Sequence, residues 1–374
     1  MTGRAMNSEE RARFSSALIQ WYQAHERPFP WRQEVTPYRV WISEIMLQQT
    51  QADRVVPYFH HWIRVFPDIR SVAEAEEDDL LKAWEGLGYY SRARRLQAAA
   101  RTILAEHGGS LPRDLGELLK LPGIGPYTGA AIMSLAFNQP CAVVDGNVER
   151  VFARVLNIET PVKNRAGQEL VRNAAQAMIP QGQARIFNQA LMELGATVCL
   201  PRRPSCGKCP VSRDCRSLAE GVELERPVPG KQPRIQAIQV AAGVLTDGGR
   251  IFIQKRPPHG LMASLWEFPG GKLNHAESPD QALIREFREE LDLDIAVGDK
   301  ITVIRHGYTT FRVTLHVFWC RLRQGSGSQQ PVLRAATDSA WVEPRELNRF
   351  AFPAADKKLV AILSSTFTNP DLLE

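Results

Sequence analysis

The 374-residue sequence has no apolar run near the eighteen or so residues that a membrane-spanning helix requires, so no membrane partner is expected. Its first residues, MTGRAMNSEERARF, lack the apolar core of a secretory signal. Cysteine is scarce. Of six, four crowd between positions 199 and 215, and two, Cys141 and Cys320, stand alone. That distribution excludes a disulfide framework and points to a reducing, cytoplasmic setting. Excess charge is scarce too: a net charge of only +5 leaves any nucleic-acid reading to be argued from where the charges cluster. With 44% hydrophobic and 23% charged residues, disorder and coiled coil are excluded as the main theme. At about one domain per 150 residues, the length predicts two or three domains.

What is present is led by CLPRRPSCGKCPVSRDC, with Cys199, Cys206, Cys209 and Cys215 spaced x6, x2, x5. Four thiolates from one short loop suit one metal centre, either zinc or an iron–sulfur cluster. Zinc sites usually pair CxxC with CxxC, and here only Cys206 and Cys209 form such a pair. The asymmetry favours a [4Fe–4S] cluster; a structural zinc knuckle is the alternative. Arg202, Arg203, Lys208 and Arg213 lie among the ligands, a knot of charge that a phosphate backbone would seek.

From Ser8 to about Lys120 apolar residues recur at helical spacing, as in Phe14, Leu18, Ile19 and Tyr22, which predicts an all-α unit. Within WISEIMLQQT, Glu44 sits in an otherwise apolar turn. A buried carboxyl there would have a raised pKa, as a general acid requires, whereas an exposed Glu on a polar stripe would mean nothing. Then LPGIGPYTG, with Gly123 and Gly125, leads into an apolar helix at Ala130–Phe137. Residues 114–137 thus predict a helix-hairpin-helix whose backbone amides meet an anion. Further on, Asp145 and Asn147 precede a helix expected to begin near Val148.

LPGIGPYTGA, VVDGNV, FNQALMELGA and the four-cysteine loop together resemble the endonuclease III superfamily of DNA glycosylases. Within it, WISEIMLQQT and GLGYYSRAR are similar to the adenine DNA glycosylases of the MutY type. The resemblance spans residues 10 to 220. It implies a [4Fe–4S] cluster on the four cysteines and hydrolysis of the N-glycosidic bond of adenine mispaired with 8-oxoguanine or guanine, with the base flipped out of duplex DNA. Glu44 would be the acid, Asp145 the carboxylate stabilising the oxocarbenium-like sugar, and Asn147 would position the reacting centre. Gln189 would bind the adenine edge, Arg27, Trp31 and Arg32 would line the base pocket, and Gln49, Thr50, Leu87 and Tyr89 would meet or wedge the duplex. Tyr127 occupies the position where strand-cutting relatives carry a Schiff-base lysine, which implies a monofunctional glycosylase.

After Cys215 the composition shifts. Residues 221–236 read as a linker. Beyond it, β-rich runs at Ala237–Leu245 and Arg250–Gln254 flank Thr-Asp-Gly-Gly, further strand signals fall at 301–304 and 313–320, and a helix is expected over Pro279–Leu291. Gly271, Glu277 and Arg285-Glu-Phe-Arg-Glu-Glu290 nearly match a Nudix box, with Asp292 where a glycine is expected. Glu286, Glu289 and Glu290 share one helical face, suitable for Mg²⁺. The resemblance to MutY C-terminal domains implies 8-oxoguanine recognition by the 306–311 loop, through Tyr308 and Thr309; a working 8-oxo-dGTP hydrolase is the alternative.

The expected architecture is multidomain α plus α+β: a helical glycosylase domain at 1–220, a linker at 221–236 and a Nudix-like α/β/α sandwich at 237–374. The expected protein is a monomer, nucleoid-associated, with mismatched duplex DNA and downstream repair proteins as partners. A different mismatch glycosylase and a non-catalytic DNA-binding module are the rival readings.

Overall fold

A computed structural model describes residues 6–230, 235–323 and 330–368. Residues 231–234 of the expected linker, and the chain ends of both expected domains, lie outside the described residues. The chain divides into two compact units, Met1–Glu74 with Arg95–Gln232, and Ala75–Arg94 with Pro233–Glu374. Ala75–Arg94, inside the expected helical domain, is therefore part of the second unit.

The first unit is helical, and its helices begin where the sequence supplies caps. Asn7 and Glu10 form a reciprocal capping box before Ser8–His25, and Thr36 accepts from the Arg39 amide before Pro37–Leu47. Phe14, Leu18 and Tyr22 bury against Phe152 of the helix Gly146–Val155 and against Phe187, Leu191 and Leu194 of Ala184–Thr197. A second cluster joins Val40, Ala131, Leu135 and Val143. The hairpin arms are Leu115–Lys120 and Pro126–Ala131, the first capped by Asp114. The second arm starts before Ala130 and passes into a π-helical turn, Ile132–Ala136, so the expected single helix is two pieces. Gly123 lies at φ 78°, and a Cβ there would meet Arg95 at 2.8 Å, so the turn needs glycine.

The second unit is built on a mixed sheet of β1 (Gln236–Asp247), β2 (Arg250–Lys255), β3 (Trp266–Glu267), β4 (Gly270–Lys272), β5 (Ile295–Gly307), β6 (Phe311–Leu322) and β7 (Asp338–Val342). Its spine runs β3-β2-β1-β6-β5, with β1 and β6 parallel. Alternation splits β1 and β2 between two cores. Ala241, Leu245 and Phe252 face the helix Pro279–Leu291 through Leu283 and Phe287, while Val244, Ile251 and Ile253 face Ala354–Thr368 through Leu359 and Leu363. This is the expected α/β/α sandwich.

Candidate active site

One cleft of about 1060 Å³ in the helical unit gathers most of the predicted residues: Arg27, Trp31, Arg32, Glu44, Gln49, Thr50, Tyr127, Asp145, Asn147 and Gln189 all line it. Glu44 projects into it from Pro37–Leu47, whose other faces bury Val40, Trp41, Ile42 and Met46. The residue is 3% exposed. Burial pushes its carboxyl up to about 7; the Tyr127 hydroxyl, donating to Oε2 at 2.9 Å, and Arg32 oppose the rise, while nearby Asp145 adds to it. Burial likewise pushes the Tyr127 phenol well up, with the Glu44 charge adding to the effect.

Asp145 is the N-cap of a helix that begins at Gly146, two residues earlier than expected. Its Oδ1 accepts from the Val148 amide at 2.8 Å and its Oδ2 from the Asn147 side-chain amide at 2.8 Å. Asn147, in the first turn, has its own Oδ1 held by Arg150 Nη2 at 2.9 Å. The close packing needs Gly195, since a Cβ there would meet the Asn147 Cβ at 2.5 Å.

Two residues escaped the sequence reading. Glu193, 1% exposed, accepts from Arg32 at 2.8 Å and from Arg27, so one buried carboxylate holds both cleft guanidiniums and offsets one of their two charges. Arg27 lies 4.7 Å from the Phe29 ring centroid, and Phe29 stacks on Trp31 at 4.9 Å. Asn188, fully buried, accepts from the Val143 amide at 2.9 Å and donates to Ser134 of the π turn at 2.7 Å, which fixes the approach to Asp145. The signal for Glu193 was available, for it is another carboxylate in an apolar turn, within FNQALMELGA. Beside Asn188, Gln189 Oε1 accepts from the Tyr22 hydroxyl at 3.4 Å. Gln49 adopts φ 61°, an uncommon backbone for a residue with a Cβ.

Cys199, Cys206, Cys209 and Cys215 line one pocket with Val151, Val155 and Leu194. Burial pushes the Cys209 thiol up to about 12, and the other three cysteines add to the rise. Four mutually repelling sulfurs in an apolar wall are a donor set that a cationic iron centre fits. Among the described residues, no three His, Cys, Asp or Glu side chains come close enough together to hold one metal ion. Buried Arg154 staples this loop by donating to the Leu200 carbonyl at 2.7 Å, the Pro201 carbonyl at 2.8 Å and Cys199 Sγ at 3.3 Å. Arg150 Nε donates to the Cys199 carbonyl at 2.7 Å, so a single guanidinium joins the cysteine loop to Asn147. Arg202, Arg203, Lys208 and Arg213 are exposed.

Leu87 and Tyr89 belong to the second unit, where Leu87 is buried and Tyr89 exposed. Glu286, Glu289 and Glu290 lie on one helix as expected, but each already has a partner. Arg285 donates to Glu286 at 2.8 Å and to Glu289 at 3.1 Å, and Gln254 donates to Glu290 at 3.0 Å. Asp292 adopts φ 56° at the helix C-terminus, the left-handed conformation for which glycine is expected there. The turn carrying Tyr308 and Thr309 joins β5 to β6. The Tyr308 ring packs between His306, at 4.7 Å, and Phe311, at 4.6 Å, which leaves Thr309 at the exposed tip.

Residues 42–176 match the HhH-GPD superfamily of base excision DNA repair proteins, and residues 240–361 match the NUDIX domain. The adenine DNA glycosylase of Homo sapiens is 32% identical over 407 residues, covering 93% of this chain and 73% of its own. That of Buchnera aphidicola subsp. Baizongia pistaciae is 34% identical over 338 residues, covering 87% and 96%. Among solved structures, a thermostable thymine-DNA glycosylase is similar at 32% identity and TM-score 0.53, over 57% of this chain and 98% of its own. A non-covalent endonuclease III–DNA complex shares the fold at 22% identity and TM-score 0.50, over 58% and 99%. With identity to adenine glycosylases running through both the helical and the Nudix regions, the chain belongs to the adenine DNA glycosylase family.

Proposed function

We propose that this adenine DNA glycosylase of base excision repair acts on adenine opposite 8-oxoguanine or guanine, with Glu44 as general acid and Asp145 as the stabilising carboxylate. One observation carries the reading: Glu44 is buried in the cleft with its carboxyl raised to about 7, in the same electrostatic environment as Asp145. A carboxyl of that pKa holds its proton near neutral pH and can pass it to a ring nitrogen of the flipped adenine. As the base departs, positive charge develops on the sugar, and Asp145, oriented by the Val148 amide and Asn147, answers it. Gln189 supplies an amide to the adenine edge, and Trp31 and Phe29 supply a flat wall. Arg27 and Arg32, held by Glu193, shape that wall, and Glu193 offsets one of their two charges beside the acid.

Tyr127 gives no amine for a Schiff base, so the enzyme is monofunctional in this reading. Gln49, Thr50, Leu87 and Tyr89 meet the opened duplex, the Gly123–Gly125 turn meets phosphate, and Tyr308 and Thr309 meet 8-oxoguanine. Cys199, Cys206, Cys209 and Cys215 would hold a [4Fe–4S] cluster, which when bound supplies a covalent cross-link of the loop. Four cysteine thiolates are the donor set of such a cluster. The chain's own contribution is to carry that loop on Arg154 and present Arg202, Arg203, Lys208 and Arg213 to phosphate. Action as a monomer in the cytoplasm, on the nucleoid and alongside downstream repair proteins, completes the proposal.

A second reading is favoured by the carboxylates of Glu267, Glu286 and Glu290. Burial raises both Glu267 and Glu290, and the charges of this group raise them further, a repulsion that Mg²⁺ relieves. Hydrolysis of 8-oxo-dGTP by the Nudix fold would follow.

Single-turnover excision on A:8-oxoG, A:G and T:G duplexes tests the main reading. The expected order places A:8-oxoG first and T:G at background, with Glu44→Gln inactive on all three. Full activity in that variant would sink the mechanism.

A further inference from the structure

The loop over residues 86–89, in the second unit, is held under constraint. Gly86, Gly88 and Tyr89 all have positive φ, at 100°, 71° and 48°, and Tyr89 presents its ring 45% exposed. An aromatic residue persists in that conformation only where its surroundings over-determine it. Part of the support is local. Trp84 Nε1 donates to the Gly88 carbonyl at 3.1 Å, and Arg92 donates to the Leu87 and Gly88 carbonyls at 3.1 and 3.0 Å.

Further support comes from a distant residue that grips both ends of the loop. The Phe352 amide donates to Glu85 Oε1 at 3.2 Å, and the Phe352 carbonyl accepts from the Tyr90 hydroxyl at 3.1 Å. Glu85, 9% exposed, also accepts from Lys357 at 2.7 Å and Lys82 at 2.8 Å, and Lys82 continues to the Phe350 carbonyl at 3.0 Å. Phe352 is itself buried, stacked on Phe268 at 5.5 Å, so the grip is anchored in the Nudix core.

We propose that Glu85, Tyr90 and Lys357 are positioning residues through which the Nudix fold, at Phe352, presets the Leu87–Tyr89 loop for entry into the duplex. The inference rests on the reading that Leu87 and Tyr89 wedge into DNA. The Nudix fold, proposed above to meet 8-oxoguanine, thereby also sets the loop that enters the helix.

The test compares Tyr90→Phe, Lys357→Ala, Lys357→Arg and Tyr89→Ala in the full-length protein. Amide hydrogen exchange over 86–89 reads the grip without DNA, and single-turnover excision from duplex DNA reads its consequence. Tyr90→Phe removes one hydroxyl and keeps the core, so it remains informative even if Lys357→Ala fails to fold. Expected are faster exchange in Tyr90→Phe and Lys357→Ala, slower excision by about tenfold, the scale of one lost hydrogen bond, and recovery in Lys357→Arg. Unchanged exchange in Tyr90→Phe overturns the grip. Faster exchange with wild-type excision, while Tyr89→Ala is slow, overturns the positioning role. Wild-type excision by Tyr89→Ala removes the wedge reading, and the inference goes with it.

Discussion

The Tyr127 hydroxyl donates to Glu44 Oε2 at 2.9 Å, so the residue proposed to stand in the Schiff-base position is a partner of the carboxyl proposed as general acid. The hairpin turn that precedes this residue therefore bears on the Glu44 carboxyl. Introducing the amine by Tyr127→Lys should create a borohydride-trapped imine with abasic-site DNA, while the wild type gives none. No adduct in the variant would contradict the placement of residue 127 beside the sugar.

Keeping Glu44 buried has a stability consequence whose sign is fixed. Its folded carboxyl, near 7, lies above its ordinary 4.5, so its contribution is fully present below 4.5 and is lost as pH rises through about 7. Glu44→Gln should therefore match the wild type at pH 5 more closely than at pH 8, where it should be more stable by up to about 3 kcal/mol. Thermal melts at the two pH values check this; a variant less stable than wild type at pH 8 would contradict it.

Arg150 joins the Cys199 carbonyl to Asn147, and Asn147 to Asp145. Arg150→Ala should lower the single-turnover rate on A:8-oxoG by about tenfold or more, because losing a hydrogen bond to a charged donor is worth roughly 1.5–3 kcal/mol. DNA affinity should change less than the rate. An affinity loss with an unchanged rate would make the residue a DNA contact instead.

The exposed Arg202, Arg203, Lys208 and Arg213 give a prediction in salt. Neutralising Arg202 and Arg203 together should weaken binding to matched and mismatched duplexes alike and should flatten the plot of log affinity against log salt by up to about 1.8. Cys206→Ala, by releasing the loop, should lower both melting temperature and affinity. An unchanged salt slope in the double variant would remove the loop from the DNA interface.

If the Nudix fold also hydrolyses nucleotides, 8-oxo-dGTP with Mg²⁺ should yield the monophosphate and pyrophosphate, and Glu286→Gln should abolish the products. Their absence from the wild type retires that second activity.

The sequence carried the site wherever the chemistry was local. Glu44 in an apolar turn, Asp145 at a helix start and Asp292 in a glycine position are each readable within about ten residues, and each has a local structural cause; the four-cysteine spacing is readable within one loop. What stayed hidden depends on partners far along the chain. Nothing near Ala75–Arg94 encodes that Glu85 meets the Phe352 amide 267 positions away, so the segment read as one more helical stretch of the first domain. Arg27 and Arg32 read as pocket lining, but the buried carboxylate that holds them both is more than 160 positions distant. The Nudix glutamates show the complementary difficulty: their shared helical face was legible, whereas their engagement by Arg285 and Gln254 needed the fold.

The central claim is that a buried, protonated Glu44 drives adenine departure. Its most direct test is the pH dependence of single-turnover adenine excision from A:8-oxoG duplexes. If Glu44 must hold its proton, the rate should be maximal on the acid side and fall with unit slope as pH rises through about 7. A rate that stays flat from pH 6 to 9 would contradict Glu44 as the proton donor.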